Sequence, residues 1–462
     1  MSEPMNNVDS SYSVNRIEDE AKLRKWKEDL LSEPYRSYLY SYPHKMSYRK
    51  LENALPLADL WRKEAVDTFF LYMHIPFCSA RCGFCNLFTL PDKRSNVHEQ
   101  YVDALERQAK QWAPFISGKP IARFAIGGGT PTLLQSDQLD RLFRIAEDTM
   151  GLVPGQASIS VETSPETVTN ERMLVLKGRG VDRVSMGIQS FVEAEAAAIY
   201  RPQKPLEVER ALEQLKLHNF PILNLDLIYG LPGQTIDSWL YSLDRALSYQ
   251  PEEIFLYPLY TREHTIVKPG HMKEIGIDNR MELYVAARDR LLAEGYVQSS
   301  MRRFAKPEVS LDKKLLPYSC QEEGMLGLGC GARSYTADVH YATRYGVSRS
   351  ATESIIADYV ATSDYTTTDY GFILNREERK RRFVLKAILH AEGLELSSYV
   401  ERFGTNPLED QPDLNRLLLT RLAILESGVL RLTEEGLAYS DSIGDWLISP
   451  EVRSLMESFV LA

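Results

Sequence analysis

The chain has 462 residues, 54 basic and 64 acidic side chains (net charge −10), 44% hydrophobic and 26% charged residues. This composition excludes a disordered, collagen-like or low-complexity chain, and the acidic balance argues against bulk nucleic-acid binding while leaving local basic sites open. Five cysteines are too few for a disulfide-built fold, yet three of them, Cys78, Cys82 and Cys85, fall within eight residues.

The first residues lack a basic stretch followed by an apolar core, so no secretory signal is expected. No stretch approaches the roughly 18 apolar residues of a membrane span. The expected compartment is the cytoplasm, with no membrane partner. Residues 1–66 are polar and Tyr-rich and read as an N-terminal arm, with an amphipathic helix over 17–31. From residue 67 a βα alternation begins. Strands are predicted at 68–75, 122–127, 157–162, 182–188, 222–228 and 253–258. Helices are predicted at 97–113, 135–148, 166–178, 205–218 and 236–248. Six units are too few for a closed eight-stranded barrel; an open partial barrel and a doubly wound sheet both fit. A further helix is expected at 278–294. Residues 300–345 read as irregular and rich in Gly, Arg and Tyr. From 376 onward helices lead to a hairpin-like turn at Gly428, the pattern of a winged-helix-type module. Such modules can bind DNA, but the run Arg379 to Arg382 is the one charge cluster there and reads as a solvated helix face. Nucleic acid is not an expected partner, and a monomer is expected.

The chemistry concentrates in His74-Ile75-Pro76-Phe77-Cys78-Ser79-Ala80-Arg81-Cys82-Gly83-Phe84-Cys85. Closely spaced thiolates are soft ligands that can wrap an iron–sulfur cluster. A zinc site needs four ligands, and His74 is the available fourth. Three thiolates on a cubane cluster leave one iron open for the amino and carboxylate groups of a small molecule. The bland alternative, three buried small hydrophobes at this spacing in so Cys-poor a chain, is improbable. Ile126-Gly127-Gly128-Gly129-Thr130-Pro131 follows the second strand. It is a tight turn or a place where backbone approaches a ligand, and no P-loop Lys follows. Glu162, Gln189 and Asp226 end three successive strands, where side chains of parallel sheets point into the ligand crevice.

The three-cysteine spacing after a first βα strand resembles the radical S-adenosylmethionine (SAM) superfamily. The words Tyr72-Met73-His74-Ile75-Pro76-Phe77-Cys78 resemble its oxygen-independent coproporphyrinogen III oxidase (HemN-like) family, over about residues 67–450. The resemblance implies an α/β fold: a partial (β/α)6 radical SAM barrel (67–300), a barrel extension on the substrate side (301–375) and a C-terminal helical, winged-helix-like domain (376–462). It implies a [4Fe–4S] cluster on Cys78, Cys82 and Cys85. It implies SAM held by Tyr72, Gly128, Gly129, Thr130, Glu162, Gln189, Arg201 and Asp226, with Ile228 and Arg333 beside a second SAM or the substrate. An electron donor such as flavodoxin or ferredoxin and a small-molecule substrate would be the partners. The chain departs from the oxidases at two places. Leu87 stands two residues beyond the last cluster cysteine, where they carry a further Cys. Arg302-Arg303 precedes Phe304-Ala305-Lys306-Pro307, where they carry Asp-His. Two Arg could clamp substrate carboxylates or serve as structural ion pairs. Tyr257 and Tyr260 are further substrate-side candidates. Cys320 and Cys330 read as buried small residues. Three functions are expected in this order: two-SAM methyl or methylene transfer to an sp2 carbon, coproporphyrinogen decarboxylation, and haem binding without catalysis.

Overall fold

The computed structural model describes residues 20–64, 66–201, 203–261, 265–267, 278–311 and 324–460. Six strands carry the predicted alternation: β1 (Phe69–Ile75), β2 (Ile121–Gly128), β3 (Ser158–Thr163), β4 (Arg183–Gln189), β5 (Ile222–Tyr229) and β6 (Glu253–Pro258). Between them lie α1 (Ser95–Trp112), α2 (Ser136–Arg144), α3 (Asn170–Gly178), α4 (Pro205–His218) and α5 (Ile236–Leu247). Each strand hydrogen-bonds in parallel to the next in sequence order. A doubly wound sheet reverses its strand order at a switch point. This order never reverses, so the sheet is a partial barrel of six βα units.

Strand alternation divides inside from outside. Along β3, Ile159 and Val161 are buried while Ser158, Ser160 and Glu162 form the other face. Along β5, Leu223, Leu225 and Leu227 form one row and Asn224, Asp226 and Ile228 the other. The second set of each strand meets its neighbours across the lumen and makes it polar.

The barrel sheet continues at both edges into a 13-stranded sheet. Arg303–Ala305 pairs antiparallel with β6, and Met325–Leu328 pairs parallel with β1. Arg333–Tyr335, Val339–Ala342, Thr367–Ile373 and Arg49–Pro56 follow in antiparallel order. The expectation of an irregular stretch over 300–345 is corrected here: its described parts include four strands of three or four residues. Such strands are too short for period-two alternation to stand out.

Two compact units divide the chain. The larger takes Pro43–Arg379 and Ser449–Ala462; the smaller takes Met1–Tyr42 and Lys380–Ile448. These divisions depart from the expected arm over 1–66: residues 43–64 belong with the barrel. In the smaller unit, helix Glu20–Leu31 packs Trp26 against Trp446, ring centroids 4.8 Å apart. That unit runs helix, short strand Leu394–Glu395, three helices (Leu396–Phe403, Pro407–Asp410 and Asp413–Leu419), then the hairpin Ala423–Glu426 and Val429–Leu432, in a three-stranded sheet. This is winged-helix topology. Its hairpin turns on Ser427 and Gly428 with φ of 50° and 77°, as a two-residue hairpin of mirror-image type requires. The basic run there is not a solvated face. Lys380 is buried and pairs with Asp410 at 3.1 Å, and Arg381 donates to the Leu447 carbonyl at 2.6 Å. Among the described residues no helix is long and apolar enough to cross a membrane.

Candidate cluster and SAM site

The site assembles where β1 ends. Pro76 breaks the strand. Phe77–Cys78 then pairs in parallel with Leu90–Pro91, which closes the thiol loop at its base. Cys78, Cys82 and Cys85 are free, partly exposed thiols on that loop. Thr130 Oγ1 lies 3.7 Å from Cys78 Sγ, Arg201 Nη1 3.4 Å from Cys82 Sγ, and Thr89 Oγ1 4.0 Å from Cys85 Sγ. Burial pushes the Cys78 thiol up to about 12, with a further push from Cys85. Cys85 is likewise raised by burial. Bound metal would supply the positive charge these thiolates need.

His74 is not a fourth ligand. Its Nε2 stands 2.9 Å from the Phe88 carbonyl, which can only accept, so Nε2 carries the proton. The Tyr72 hydroxyl then donates to Nδ1 at 3.3 Å. Burial pulls the ring down to about 4, so it is neutral. Among the described residues no three His, Cys, Asp or Glu side chains gather closely enough for a single metal ion. Three soft thiolates on one loop, with His74 turned away as a fourth ligand, suit an iron–sulfur cluster.

The glycine run lies along the strand–loop junction. Gly129 N donates to Ile75 O at 2.7 Å and Thr130 N to Phe77 O at 2.8 Å. Gly128 has φ +114°, and a Cβ there would meet the His74 ring at 2.6 Å. Glu162 Oε2 accepts from Gly128 N at 3.0 Å. Water reaches the Glu162 carboxyl through the lumen, yet the barrel wall encloses it, and that loss of solvent raises its pKa. Tyr72 is also raised, by burial and then by Glu162.

Gln189 ends β4 in the left-handed region (φ 71°), where the ladder to β5 slips by one residue. Strained backbone of this kind clusters at ligand sites. Arg201 ties β4 to the thiol loop: it donates to the Gly187 carbonyl, to Gln203 Oε1 at 2.7 Å and towards Cys82. Asp226 accepts from Asn224 Nδ2 at 2.8 Å and Ser185 Oγ at 3.3 Å; burial raises its pKa. Ile228 belongs to an apolar cluster with Ile199 and Leu259, against which Phe84 of the thiol loop and Tyr257 pack. Arg333 lies across β1, where its charge acts on Tyr72 and His74.

The arginine pair divides. Arg303 is consumed by Glu253 (2.5 Å) and Ser299 Oγ (3.0 Å), so it is structural and not a substrate clamp. Arg302 hydrogen-bonds the Tyr260 hydroxyl. Cys330 is buried with its thiol 3.8 Å from the Tyr101 hydroxyl, and Cys320 lies outside the described residues. Four lumen residues went unread in the sequence: Arg183, Ser185, Asn224 and Glu253. For the first three the signal was period-two spacing with Gln189 and Asp226 on the same strands, and Glu253 stands at even spacing from Tyr257 on β6. Glu253 bridges Arg183 at 2.7 Å and Arg303 at 2.5 Å. Burial would raise Glu253, but the two guanidinium groups outweigh it and hold the carboxyl low. Glu253→Gln is expected to cost about 3–5 kcal/mol of stability at neutral pH, since it leaves buried charge uncompensated. A lowered carboxyl stabilises fully above its ordinary value of 4.5 and loses that contribution as pH falls through the folded value. Urea unfolding of wild type and variant should therefore converge on acidification below 4.5.

Comparison with known proteins agrees with this geometry. Residues 72–246 match the model of the radical SAM superfamily, which marks a radical SAM domain over those residues. It is 26% identical over 421 residues to the "Oxygen-independent coproporphyrinogen III oxidase" of Salmonella typhimurium, covering 87% of this chain and 89% of that one. It is 29% identical over 277 residues to the "Heme chaperone HemW" of Buchnera aphidicola, covering 58% and 71%. The solved coproporphyrinogen III oxidase (HemN) of Escherichia coli superposes with a TM-score of 0.73 at 22% identity, covering 92% and 98%, which shows a shared fold. The family-model match and these relatives together support a HemN-like reading of the chain.

Proposed function

We propose that the chain is a SAM-cleaving radical enzyme whose cluster is held by Cys78, Cys82 and Cys85. The observation that carries this is the closure of the three-thiol loop onto the glycine run, with Glu162 anchored to Gly128 N at 3.0 Å. Bound there, a [4Fe–4S] cluster and SAM supply one-electron cleavage to methionine and a 5′-deoxyadenosyl radical. The protein's own part is to bind, orient and exclude water. Gly128, Gly129 and Thr130 let a ligand approach the backbone. Glu162 and Asp226 offer carboxyls to ribose hydroxyls or an ammonium group. Gln189 and Arg201 offer amide and guanidinium donors, and Tyr72 forms a wall of the lumen.

For the following step we read two-SAM methyl or methylene transfer to an sp2 carbon, with Ile228 and Arg333 on the side of the second SAM. Leu87 in place of the oxidases' extra Cys supports this reading. So does Arg303, which is tied to Glu253 and stands where they carry a proton-transferring His. A second reading, coproporphyrinogen decarboxylation, is favoured by a similarity to an oxidase that spans 87% of the chain. Anaerobic turnover with methyl-labelled SAM separates them when an unsaturated acceptor and coproporphyrinogen are offered in turn. Label in the product with S-adenosylhomocysteine released supports transfer. Loss of carbon dioxide without label transfer supports the oxidase. Retained haem with no SAM consumed moves the assignment to a haem-binding protein.

A further inference from the structure

A cavity of about 440 Å3 opens on the helix-covered side of the sheet extension, between α1 and the helix Arg349–Ala361. Ser334 and Tyr341, which pair across two strands, contribute to its floor. Their neighbours Arg333 and Tyr335 alternate to the opposite face, where Tyr335 packs with Phe70 and Tyr72 on the lumen side. The sheet therefore stands between this cavity and the cluster and SAM site. The cavity walls are aromatic and already built. Trp112 Nε1 donates to Tyr365 O at 2.7 Å, the Tyr365 hydroxyl to Tyr359 O at 2.9 Å, and Trp61 Nε1 to the Tyr341 hydroxyl at 2.8 Å. The polar atoms of Trp112, Tyr341 and Tyr365 are thus spent within the wall, which leaves ring surface for the space itself. Gln108 stands at the floor. Its Oε1 accepts from Gly329 N at 2.9 Å and from the Tyr359 hydroxyl at 2.7 Å. A backbone N–H can only donate, so these bonds fix which end of the amide is oxygen. Among the described residues no acceptor meets its Nε2, although Gln108 is only 6% exposed and lines the cavity. An enclosed amide in that state calls for an acceptor from outside the chain. The rim has the opposite chemistry: Asp358, Asp364 and Asp369 are exposed there beside one guanidinium, Arg344.

We infer that this cavity binds a purine nucleoside. Its occupant must bring a flat ring for the aromatic walls, an acceptor for Gln108 Nε2 and hydroxyl donors for the carboxylates at the rim. A nucleoside carries all three on one small frame. The cavity falls in the range of about 300–1,000 Å3 usual for small-molecule sites, which likewise combine apolar walls with a few placed polar groups. A purine meets the floor better than a pyrimidine: it has ring-nitrogen acceptors on more than one edge and more surface to lay against Trp112 and the three tyrosines. Three carboxylates against one guanidinium at the rim repel a phosphate, so the nucleoside is preferred to its nucleotide. Binding needs neither the cluster nor its reaction, so the inference goes beyond the proposed function and does not depend on it.

The test is calorimetry or equilibrium dialysis of adenosine and of adenosine monophosphate against the reconstituted full chain, without reductant. Gln108→Glu keeps an acceptor for Gly329 N and the Tyr359 hydroxyl and removes the amide donor. Asp358→Lys/Asp369→Lys reverses the rim at two exposed positions, where the fold has little at stake. In wild type the expected result is adenosine binding, with the monophosphate weaker by roughly tenfold or more. Gln108→Glu is expected to weaken adenosine by about tenfold or more. The rim variant is expected to bind the monophosphate at least as tightly as adenosine. Asp226→Asn, in the lumen, should bind adenosine as wild type does. No adenosine bound, adenosine binding lost in Asp226→Asn but kept in Gln108→Glu, or a preference for adenosine unchanged by the rim reversal would overturn the inference. A chain that binds in the expected pattern but forms no 5′-deoxyadenosine from SAM with dithionite would sink the proposed reaction and leave the nucleoside cavity standing.

Discussion

Cys82→Ala protein, reconstituted anaerobically with iron and sulfide, is expected to hold no [4Fe–4S] cluster and to form no 5′-deoxyadenosine. Cys82 is the middle ligand of a loop whose base is pinned at Cys78↔Pro91, and Arg201 approaches its sulfur at 3.4 Å. Removing it leaves two thiols and a half-buried guanidinium without its sulfur partner. No other described side chain can take its place: His74 is turned to Phe88 and Tyr72, and Cys330 is buried against Tyr101. Iron and acid-labile sulfide analysis with visible absorption reads the loss. Cys330→Ala is the matched control and should keep a full cluster. A Cys82→Ala protein with a normal cluster would remove the thiol loop from the account.

Gly129→Ala is expected to be nearly as damaging although residue 129 supplies no cluster ligand itself. A Cβ at residue 129 would stand 2.5 Å from the Phe77 carbonyl oxygen and 3.0 Å from both Cys78 Sγ and the Ile75 carbonyl oxygen. Two of the three are main chain, and Gly129 N already bonds Ile75 O at 2.7 Å, so neither side can yield without opening the junction between β1 and the thiol loop. The consequence falls on Cys78 and on Thr130 beside it. We expect a lower melting temperature, poor iron incorporation, and SAM affinity reduced by about tenfold or more (at least about 1.4 kcal/mol) in whatever protein is loaded. Gly178→Ala is the contrast. That glycine ends α3 with open space around its Cβ position, and the change should be silent or slightly stabilising. Equal behaviour of the two variants would show that close approach at Gly129 is not what the site needs.

Much of this was legible in the residues. Six strands announced themselves by alternation and by turn residues between them, and the thiol loop by a spacing that chance does not produce in a Cys-poor chain. Glu162, Gln189 and Asp226 were legible because a polar side chain at the end of an apolar strand needs a reason. Strand neighbours were not legible. Periodicity shows that a segment is a strand and which face is apolar, but not what lies beside it. Partial barrel and doubly wound sheet therefore stayed open until the sequential order of β1 to β6 was seen. The barrel extension was hidden for a different reason: strands as short as Arg333–Tyr335 lack room for a pattern. The basic run at Arg379 to Arg382 misled because sequence shows charges without their partners. Lys380 is spent on Asp410 and Arg381 on a carbonyl. The same blindness applied to Arg303, whose partner Glu253 lies fifty residues upstream.

The central claim is that the loop Cys78–Cys85 and the lumen beside it hold a cluster that SAM engages. The most direct measurement is electron paramagnetic resonance of the anaerobically reconstituted, dithionite-reduced protein with and without SAM, with nucleosides quantified in the same sample. The account predicts a reduced [4Fe–4S] signal whose shape changes when SAM is added, and 5′-deoxyadenosine formed together with methionine. A full reduced cluster whose signal ignores SAM, with no nucleoside formed, would contradict it.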